Sequence, residues 1–271
     1  MLAELSEDEA TGEIAYIYSE IRRLWAAPYV SSLQRNLATK FGWLEWTWSA
    51  IGPAFSSGTA QRAGWEIAAD LTLPELPLDR PALPHLDKVD VQEIGDICAN
   101  FVRVAPVNLM FAGLLRQLLL GLTPYGPGWP SVIWSPPEIL PVLPAMVDIA
   151  TISADLQACL MKLGTEVDGE PFVPGLYRIL ARWPQFIDYL GRALPYLEVA
   201  PETEAARLTL LAEIDAAVEA VFAQLPALSS PKMPAPHFRE DILATLETYR
   251  RTSPEMVIFG KAISVVVKTE M

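Results

Sequence analysis

Apolar residues recur at intervals of three and four along most of this chain, the period of a helix with one buried face. Ser6 followed by Glu9 has the spacing of a capping box, and the apolar pattern after it predicts a first helix over about residues 8–25. Helical spacing returns over 33–51, where Gly42 is expected to break the run. No stretch alternates as a convincing set of strands. The pattern therefore predicts an all-α fold.

The helical pattern occurs twice. The stretch Pro28–Ile51 is repeated 143 residues later with seven identical pairs, which are Pro28 and Pro171, Val30 and Val173, Leu33 and Leu176, Arg35 and Arg178, Leu37 and Leu180, Ala38 and Ala181, and Ala50 and Ala193. Further helical stretches pair 59–73 with 203–225 and 91–122 with 241–267. We interpret this as a tandem duplication of a helical unit that forms a pseudo-dimer about a pseudo-twofold axis.

The duplication sets the expected boundaries. Residues 1–122 form the first helical repeat and residues 146–271 the second, and we expect the two to share one core with a ligand pocket between them. Between them, 123–145 contains seven prolines and is predicted to be a semi-rigid connector. Pro184 is the expected break in the second copy, and the β-branched stretch 263–267 is predicted to be helical because of its place in the repeat.

Composition narrows the possible partners. The chain is 51% hydrophobic, which favours a large core, and its apolar run 109–122 is 14 residues long, short of the about 20 that a membrane span needs. The net charge of −13 disfavours nucleic acid and membrane surfaces as partners. The acidic first residues lack the features of a targeting signal, so we expect a cytoplasmic protein.

Reactive side chains are few. Cys98 and Cys159 are isolated in apolar helical contexts, so we expect two core cysteines, no disulfide and no metal cluster. His85 and His237 occupy equivalent places, each after a proline near a helix start. Such a histidine could act as a general base, although capping or packing is the more common role.

Four segments carry a resemblance to a known family: GEIAYIYSEIRRLWAAPYVSSLQRNLAT at 12–39, FGWL at 41–44, FVPGLYRILARWPQF at 172–186 and ATLETYRR at 244–251. They resemble the group I 2-haloacid dehalogenases, the DehI type. The resemblance implies an all-α pseudo-dimer, distantly alkylhydroperoxidase- and carboxymuconolactone decarboxylase-like, with a pocket between the repeats. It also implies hydrolysis of 2-haloalkanoic acids by an activated water, without a covalent intermediate or a cofactor.

The resemblance also implies where a pocket would be. The family's general base is an aspartate after a serine, and those two positions fall on Leu176 and Gly175 here, so the catalytic residue is unknown. A family tryptophan is replaced by Tyr29 and a phenylalanine by Ser32. A substrate-binding asparagine and a pocket tyrosine are matched, so the predicted substrate pocket is Tyr29, Ser32, Asn108, Gly175, Leu176 and Tyr249.

Several alternatives stay open. Glu170, or its neighbour Asp168, could supply a substitute acid, or both could be solvated loop charges. Arg35 and Arg178 could bind a substrate carboxylate or hold the fold together. We expect a DehI-like enzyme that acts on a small organic acid, as in hydrolytic dehalogenation of 2-haloacids, with an altered or relocated base. The alternatives are a non-catalytic small-molecule binder, an enzyme of another class that uses the same pocket, and a helical scaffold. A homodimer is a further possibility.

Overall fold

A computed structural model describes residues 3–73, 85–130, 134–167, 169–229 and 232–268. Of these residues, 67% are helical. The helices are α1 Gly12–Trp25, α2 Ser32–Ala38, α3 Trp43–Ser56, α4 Thr59–Asp70, α5 Lys88–Leu119, α6 Ala154–Met161, α7 Gly175–Leu180, α8 Pro184–Glu198, α9 Pro201–Phe222 and α10 Arg239–Lys268. The predicted all-α fold is confirmed.

A small hairpin interrupts the helices. Strand β1 Thr165–Val167 pairs antiparallel with β2 Glu170–Phe172, and Thr165 lies opposite Phe172. Glu170 was expected to lie in a loop and instead lies in a strand, while so small a sheet leaves the all-α fold class unchanged. The sequence Asp-Gly at 168–169 is a strong signal for a two-residue hairpin turn, and Gly169 has a φ of +81°. Asp168 itself lies outside the described residues.

The helices recur in the order that the repeat predicts. Helices α2 and α7 begin at Ser32 and Gly175, 143 residues apart, and a longer helix follows each of them. The predicted breaks are confirmed, because Gly42 precedes α3 with a φ of +77° and Pro184 is the first residue of α8. The β-branched stretch before the C-terminus is helical, as predicted from the repeat rather than from propensity.

The first helix starts later than the pattern indicated. It begins at Gly12, not near residue 8. Ser6 donates its hydroxyl to the Glu9 carboxylate at 2.6 Å, and the Ala10 backbone N–H bonds to the Ser6 carbonyl at 3.1 Å. These bonds close a single turn over the predicted capping box. Gly12 then has a φ of +58°, outside the helical region, so this turn does not continue into α1.

The chain divides into two compact units, each built from three segments. Unit 1 contains Met1–Asp70, Arg103–Pro141 and Leu210–Pro254, and unit 2 contains Leu71–Val102, Val142–Thr209 and Glu255–Met271. Helices α5, α9 and α10 each contribute one part to either unit. These units are defined by how compactly the residues pack and not by the sequence repeat. The repeat boundaries at 122 and 146 therefore stay a prediction.

The core of unit 1 is aromatic. The rings of Trp25, Phe55 and Phe111 lie 5.9–6.2 Å apart between centroids, and all three side chains are fully buried. The first part of the proline-rich connector packs on this unit. A Cβ on Gly58 would lie only 2.3 Å from the indole of Trp134, and the Gly126 N–H donates to the Leu225 carbonyl at 2.7 Å. The connector is therefore fixed by close packing as well as by its prolines.

The core of unit 2 is mostly aliphatic. It contains the buried face of α7, the inner face of α8 and the apolar part of α10, represented by Leu176, Ile187 and Ile258, which are all 0% exposed. Helix α5 begins in this unit and is long and apolar enough to cross a membrane by length and composition, yet 72% of its apolar stretch is buried. Such burial is typical of a core helix of a soluble protein. The predicted buried helix is thereby confirmed, and the cytoplasmic location stays a prediction.

Candidate functional site

The first turn of α2 holds a buried polar network in unit 1. The Asn108 side-chain amide donates to the Ser31 hydroxyl at 2.8 Å. The Gln34 side-chain amide donates to the side-chain oxygen Oδ1 of Asn108 at 3.2 Å. Ser31 is 7% exposed, Gln34 0% and Asn108 5%. Within the described part of the chain, the buried Gln34 Oε1 has no hydrogen-bond partner. Buried polar atoms are nearly always paired, so an unpaired acceptor here marks a position where a ligand or water group would be favoured.

Local sequence explains how Asn108 reaches this network. Pro106 lies inside α5 two residues before it and removes one helical hydrogen bond. Gly64 of α4 packs directly on this point, because a Cβ on Gly64 would lie 3.1 Å from the Pro106 carbonyl oxygen. The close approach of α4 at a glycine fixes this part of α5, and with it the side chain of Asn108.

Tyr249 of α10 contacts Ser32, which follows Ser31 in the chain, so a second and separate pair of polar side chains lies at the first turn of α2. The two sets together are called the α2 network below. The two hydroxyl groups form a hydrogen bond. Burial raises the pKa of Tyr249, the bond to Ser32 and the charge of Arg35 lower it, and Glu4 raises it. Because burial is the largest of these effects, the phenol stays protonated at neutral pH and is available as a hydrogen-bond donor.

Arg35 lies on the same helix, one turn after Ser32. Its Nη2 is 2.6 Å from Oε2 of Glu4, and its Nε is buried with no hydrogen-bond partner among the residues that the structure describes. Burial raises the pKa of Tyr29, and Arg35 lowers it, so the guanidinium lies within electrostatic range of this phenol as well. Tyr29, Ser32, Asn108 and Tyr249 thus belong to one unit.

Gly175 and Leu176 belong to unit 2, at the start of α7. Leu176 is 0% exposed, and a Cβ on Gly175 would lie 2.8 Å from Cε of Met146 and 3.4 Å from the ring of Phe101. The backbone of Glu170 pairs with Val167 in the hairpin, and its side chain lies outside the described residues. The predicted pocket residues therefore fall in both units, and their role in binding stays a prediction.

Sequence reasoning missed two members of the network, Ser31 and Gln34. Both are polar residues in a stretch whose repeat mates are Pro174 and Tyr177. A polar residue at a buried position of one repeat, where the other repeat has an apolar or aromatic residue, is the signal that could have found them.

Unit 2 has a charged cluster of its own. Tyr177 is 3% exposed. Burial is the largest cause that raises the pKa of its hydroxyl, and the charges of Glu255 and Glu198 raise it further. Burial also raises the pKa of Glu198, and Arg207 opposes that shift. Arg207 pairs with Glu255 at 3.4 Å and with Glu204. This cluster contains the carboxylates that the network in unit 1 lacks.

The remaining candidates have structural roles or lie at the surface. Arg178 donates to the Val147 carbonyl from Nε at 3.3 Å and from Nη2 at 3.1 Å, so it anchors the end of the connector. His85 and His237 are both exposed, just before α5 and α10. Among the residues that the structure describes, no three His, Cys, Asp or Glu side chains gather where they could hold a metal ion.

A surface groove of about 510 Å³ lies in unit 2, lined by Ser153, Asp155, Leu156, Cys159, Pro184, Gln185, Asp188 and Arg192. Cys98 is buried, as expected, but the expectation that Cys159 is a core residue was wrong, because it is partly exposed in this groove. Its thiol lies 3.7 Å from Oδ1 of Asp188. Burial and the Asp188 charge raise the pKa of the Cys159 thiol, which disfavours the reactive thiolate.

Comparison with known proteins identifies relatives in sequence and in structure. No protein-family model matches the chain. It is 23% identical to the (R)-2-haloacid dehalogenase of Pseudomonas putida over 245 residues, which cover 82% of this chain and 77% of that protein.

Two solved structures have the same fold. A D-2-haloacid dehalogenase in complex with L-LA matches with a TM-score of 0.73 at 18% identity, covering 98% of this chain and 96% of that chain. A D-2-haloacid dehalogenase mutant with D-2-CPA matches with a TM-score of 0.71 at 18% identity, covering 100% and 95%. The resemblance carried by the motifs is confirmed as a similarity: this chain is similar in sequence to an (R)-2-haloacid dehalogenase and shares its fold with D-2-haloacid dehalogenases.

Proposed function

We propose that this protein is a DehI-like enzyme that acts on a small organic acid, and that the α2 network of unit 1 binds that acid. The observation that carries the proposal is that Asn108 and Tyr249, the two pocket positions at which this chain matches the family, both bond to the first turn of α2. The sequence similarity to an (R)-2-haloacid dehalogenase supports an acid of this class as the ligand.

The network has the chemistry to bind a carboxylate. Ser32 and Tyr249 carry hydroxyl groups, and the Asn108 amide has a second N–H besides the one directed at Ser31. Burial keeps the Tyr249 phenol protonated, so it acts as a donor rather than as a base. Donors that are fixed in a buried place bind an anion more strongly than the same donors in water.

Hydrolytic dehalogenation needs one more group. Water attacks the carbon that bears the halogen, the carbon–halogen bond breaks as the carbon–oxygen bond forms, and a base accepts the proton of the water. Leu176 cannot accept it. A positioned general base contributes typically about 10²- to 10⁴-fold to a rate. Among the described residues, no carboxylate bonds directly to Ser31, Ser32, Gln34, Asn108 or Tyr249. The proposed enzyme therefore takes its base from another position.

A second candidate function is a non-catalytic binder of small organic acids. The packing of Leu176 favours it, because this side chain is 0% exposed and Gly175 beside it is covered by Met146. The start of α7 is then filled by the protein itself, with no room for an attacking water.

One experiment separates the two. Halide release is measured with both enantiomers of 2-chloropropanoate and 2-bromopropanoate, and binding of the same acids is measured by calorimetry. Halide release that Tyr249→Phe reduces supports the enzyme. Binding without release, weakened about two- to tenfold by Tyr249→Phe, supports the binder. Tyr125→Phe is the matched control, since Tyr125 is 81% exposed in the same unit. Neither release nor binding would overturn both.

A further inference from the structure

The Glu4–Arg35 ion pair lies beside the network without being part of it. Arg35 is three residues after Ser32 on α2, so the two side chains lie on the same face of the helix. Its Nη2 contacts Oε2 of Glu4 at 2.6 Å, and the two side chains are 29% and 27% exposed. A pair this exposed to water is readily exchanged for a competing anion.

The guanidinium of Arg35 is only partly used by this pair. Nε and Nη2 of an arginine point in the same direction, and together they form a side-on fork that matches the two oxygens of a carboxylate. Glu4 contacts Nη2, whereas Nε is buried and has no partner within the described part of the chain. A carboxylate that approached the fork side-on would satisfy Nε and displace Glu4 from Nη2.

Arg35 and Glu4 also act on the proposed acid site electrically. Arg35 lowers the pKa of Tyr18, Tyr29 and Tyr249, and Glu4 raises that of Tyr18 and Tyr249. The charges of both residues therefore lie within range of the phenol that bonds to Ser32.

The backbone around Glu4 is held in place independently of its side chain. The Leu5 N–H donates to the Arg35 carbonyl at 3.1 Å, the Asn36 amide donates to the Ala3 carbonyl at 2.8 Å, and the Tyr18 hydroxyl donates to the Leu5 carbonyl at 3.0 Å. Glu4 can therefore leave Arg35 by rotating its side chain, while the segment that carries it stays bound to α1 and α2.

We propose that Arg35 binds the carboxylate of the organic acid side-on through Nε and Nη2, and that Glu4 is an internal competitor for the same fork. This inference rests on the proposed function, since it names the residue that recognises the acid group. Glu4 then sets the affinity of the site: a ligand must exchange its own carboxylate for that of Glu4.

The test uses propanoate as the probe and propanamide as its neutral control, with binding followed by ¹H–¹⁵N NMR titration of the full chain. Glu4→Gln is expected to tighten propanoate binding about two- to fivefold, the range of an exposed ion pair. Arg35→Lys keeps the charge but loses the fork and is expected to weaken binding about tenfold. Glu9→Gln is the matched control: it removes a charge from the same segment, where Glu9 bonds only locally to Ser6, and is expected to change nothing.

Two further measurements distinguish side-on binding by Arg35 from a nonspecific effect of changing the charge. In an Arg35→Gln background, Glu4→Gln is expected to have no effect, because the site of competition is gone. In the unmodified chain, the Nε–H resonance of Arg35 is expected to shift with propanoate and not with propanamide, a readout that needs no variant.

Two outcomes would overturn the inference. If propanoate binds and Tyr249→Phe weakens it, while the Glu4 and Arg35 variants and the Arg35 Nε–H signal are unaffected, Arg35 is not the acid receptor and the proposed function survives. If propanoate fails to bind even to the Glu4→Gln variant, the inference and the proposed acid site fall together.

Discussion

Helices α2 and α7 hold the same place in the predicted repeat, yet the side chains around their first turns differ in polarity. In α2, Ser32 bonds to Tyr249 and Gln34 bonds to Asn108. In α7, Gly175 packs under Met146 and Leu176 is fully buried. One copy has a polar network with an unpaired acceptor, and the other has an apolar, closed packing.

The same contrast holds one turn later, where the two residues are identical. Arg35 pairs with Glu4 through Nη2, and its Nε has no partner in the described ranges, while Arg178 directs both Nε and Nη2 to the Val147 carbonyl. The side chain alone therefore does not determine the role. A fork that is filled by a backbone carbonyl anchors the connector, and a fork that is half filled by a carboxylate is open to exchange.

Leu176→Asp is expected to have the largest effect on stability, and it restores the residue type of the family at that position. A carboxylate at a fully buried apolar position should cost about 4 kcal/mol of unfolding free energy, because a leucine side chain is lost and a charge is desolvated. The deficit should shrink as pH falls, since burial raises the pKa of a carboxyl and protonation removes the charge. Urea unfolding at two pH values, with Leu176→Ala as the size control, measures both. A loss of less than about 1 kcal/mol would mean that α7 begins in a polar setting like α2.

Asn108→Ala should produce the next largest effect. It removes the partner of both Ser31 and Gln34, and the buried Gln34 amide is then left without any bond. Unpaired buried polar groups cost about 1–3 kcal/mol each, so we expect a loss of about 3 kcal/mol in urea unfolding. Gln92→Ala on the same helix is the control, since the bond of Gln92 to Asp96 is exposed. Equal effects of the two variants would contradict a buried network.

The two tyrosines permit a matched comparison between units. Tyr249→Phe breaks the bond to Ser32 and should cost about 1 kcal/mol. Tyr177→Phe removes a hydroxyl whose pKa is raised by burial and by the charges of Glu255 and Glu198, and it should change stability by less than about 0.5 kcal/mol. Chemical unfolding of both variants at neutral pH decides the point. A larger loss in Tyr177→Phe than in Tyr249→Phe would reverse the contrast between the polar and the apolar copy.

The smallest expected effects on stability come from the carboxylates of Glu198 and Glu20. Burial raises the pKa of Glu198, so the folded state binds its proton more tightly than the unfolded state, and stability rises as pH falls from neutral through the folded pKa. Glu198→Gln should therefore be slightly more stable than the unmodified chain at neutral pH, with the gain fading in acid. Glu20 in unit 1 gives the opposite sign, because its bond to Arg23 lowers its pKa and the resulting stability is lost in acid. Unfolding at several pH values tests both signs, and a gain for Glu20→Gln at neutral pH would contradict this account.

Much of the fold follows from the sequence because helix periodicity and the repeat agree. The break at Gly42 and the helical tail over 263–267 were predictable on this basis. The hairpin around Gly169 was missed because its three-residue strands are too short to show alternation, which left the Asp-Gly pair at 168–169 as its one sequence signal. The start of α1 at Gly12 was missed because Ser6 and Glu9 satisfy one another inside an isolated turn.

The candidate site was less predictable. The resemblance indicated Asn108 and Tyr249, and the structure places both against α2. Gln34 bonds to Asn108, 74 residues further along the chain, and Glu4 pairs with Arg35, 31 residues away. Helical periodicity does not encode contacts between such distant positions. Burial of Leu176 follows from helix spacing, but the covering of Gly175 by Met146, just after the connector, does not.

The composition of the two units bears on whether either repeat can fold alone. Unit 1 contains residues 210–254, which belong to the predicted second repeat, and unit 2 contains residues 71–102, which belong to the first. On the predicted repeat boundaries, neither repeat contains all the segments of either unit. We therefore expect that neither repeat forms a stable fragment when it is expressed alone.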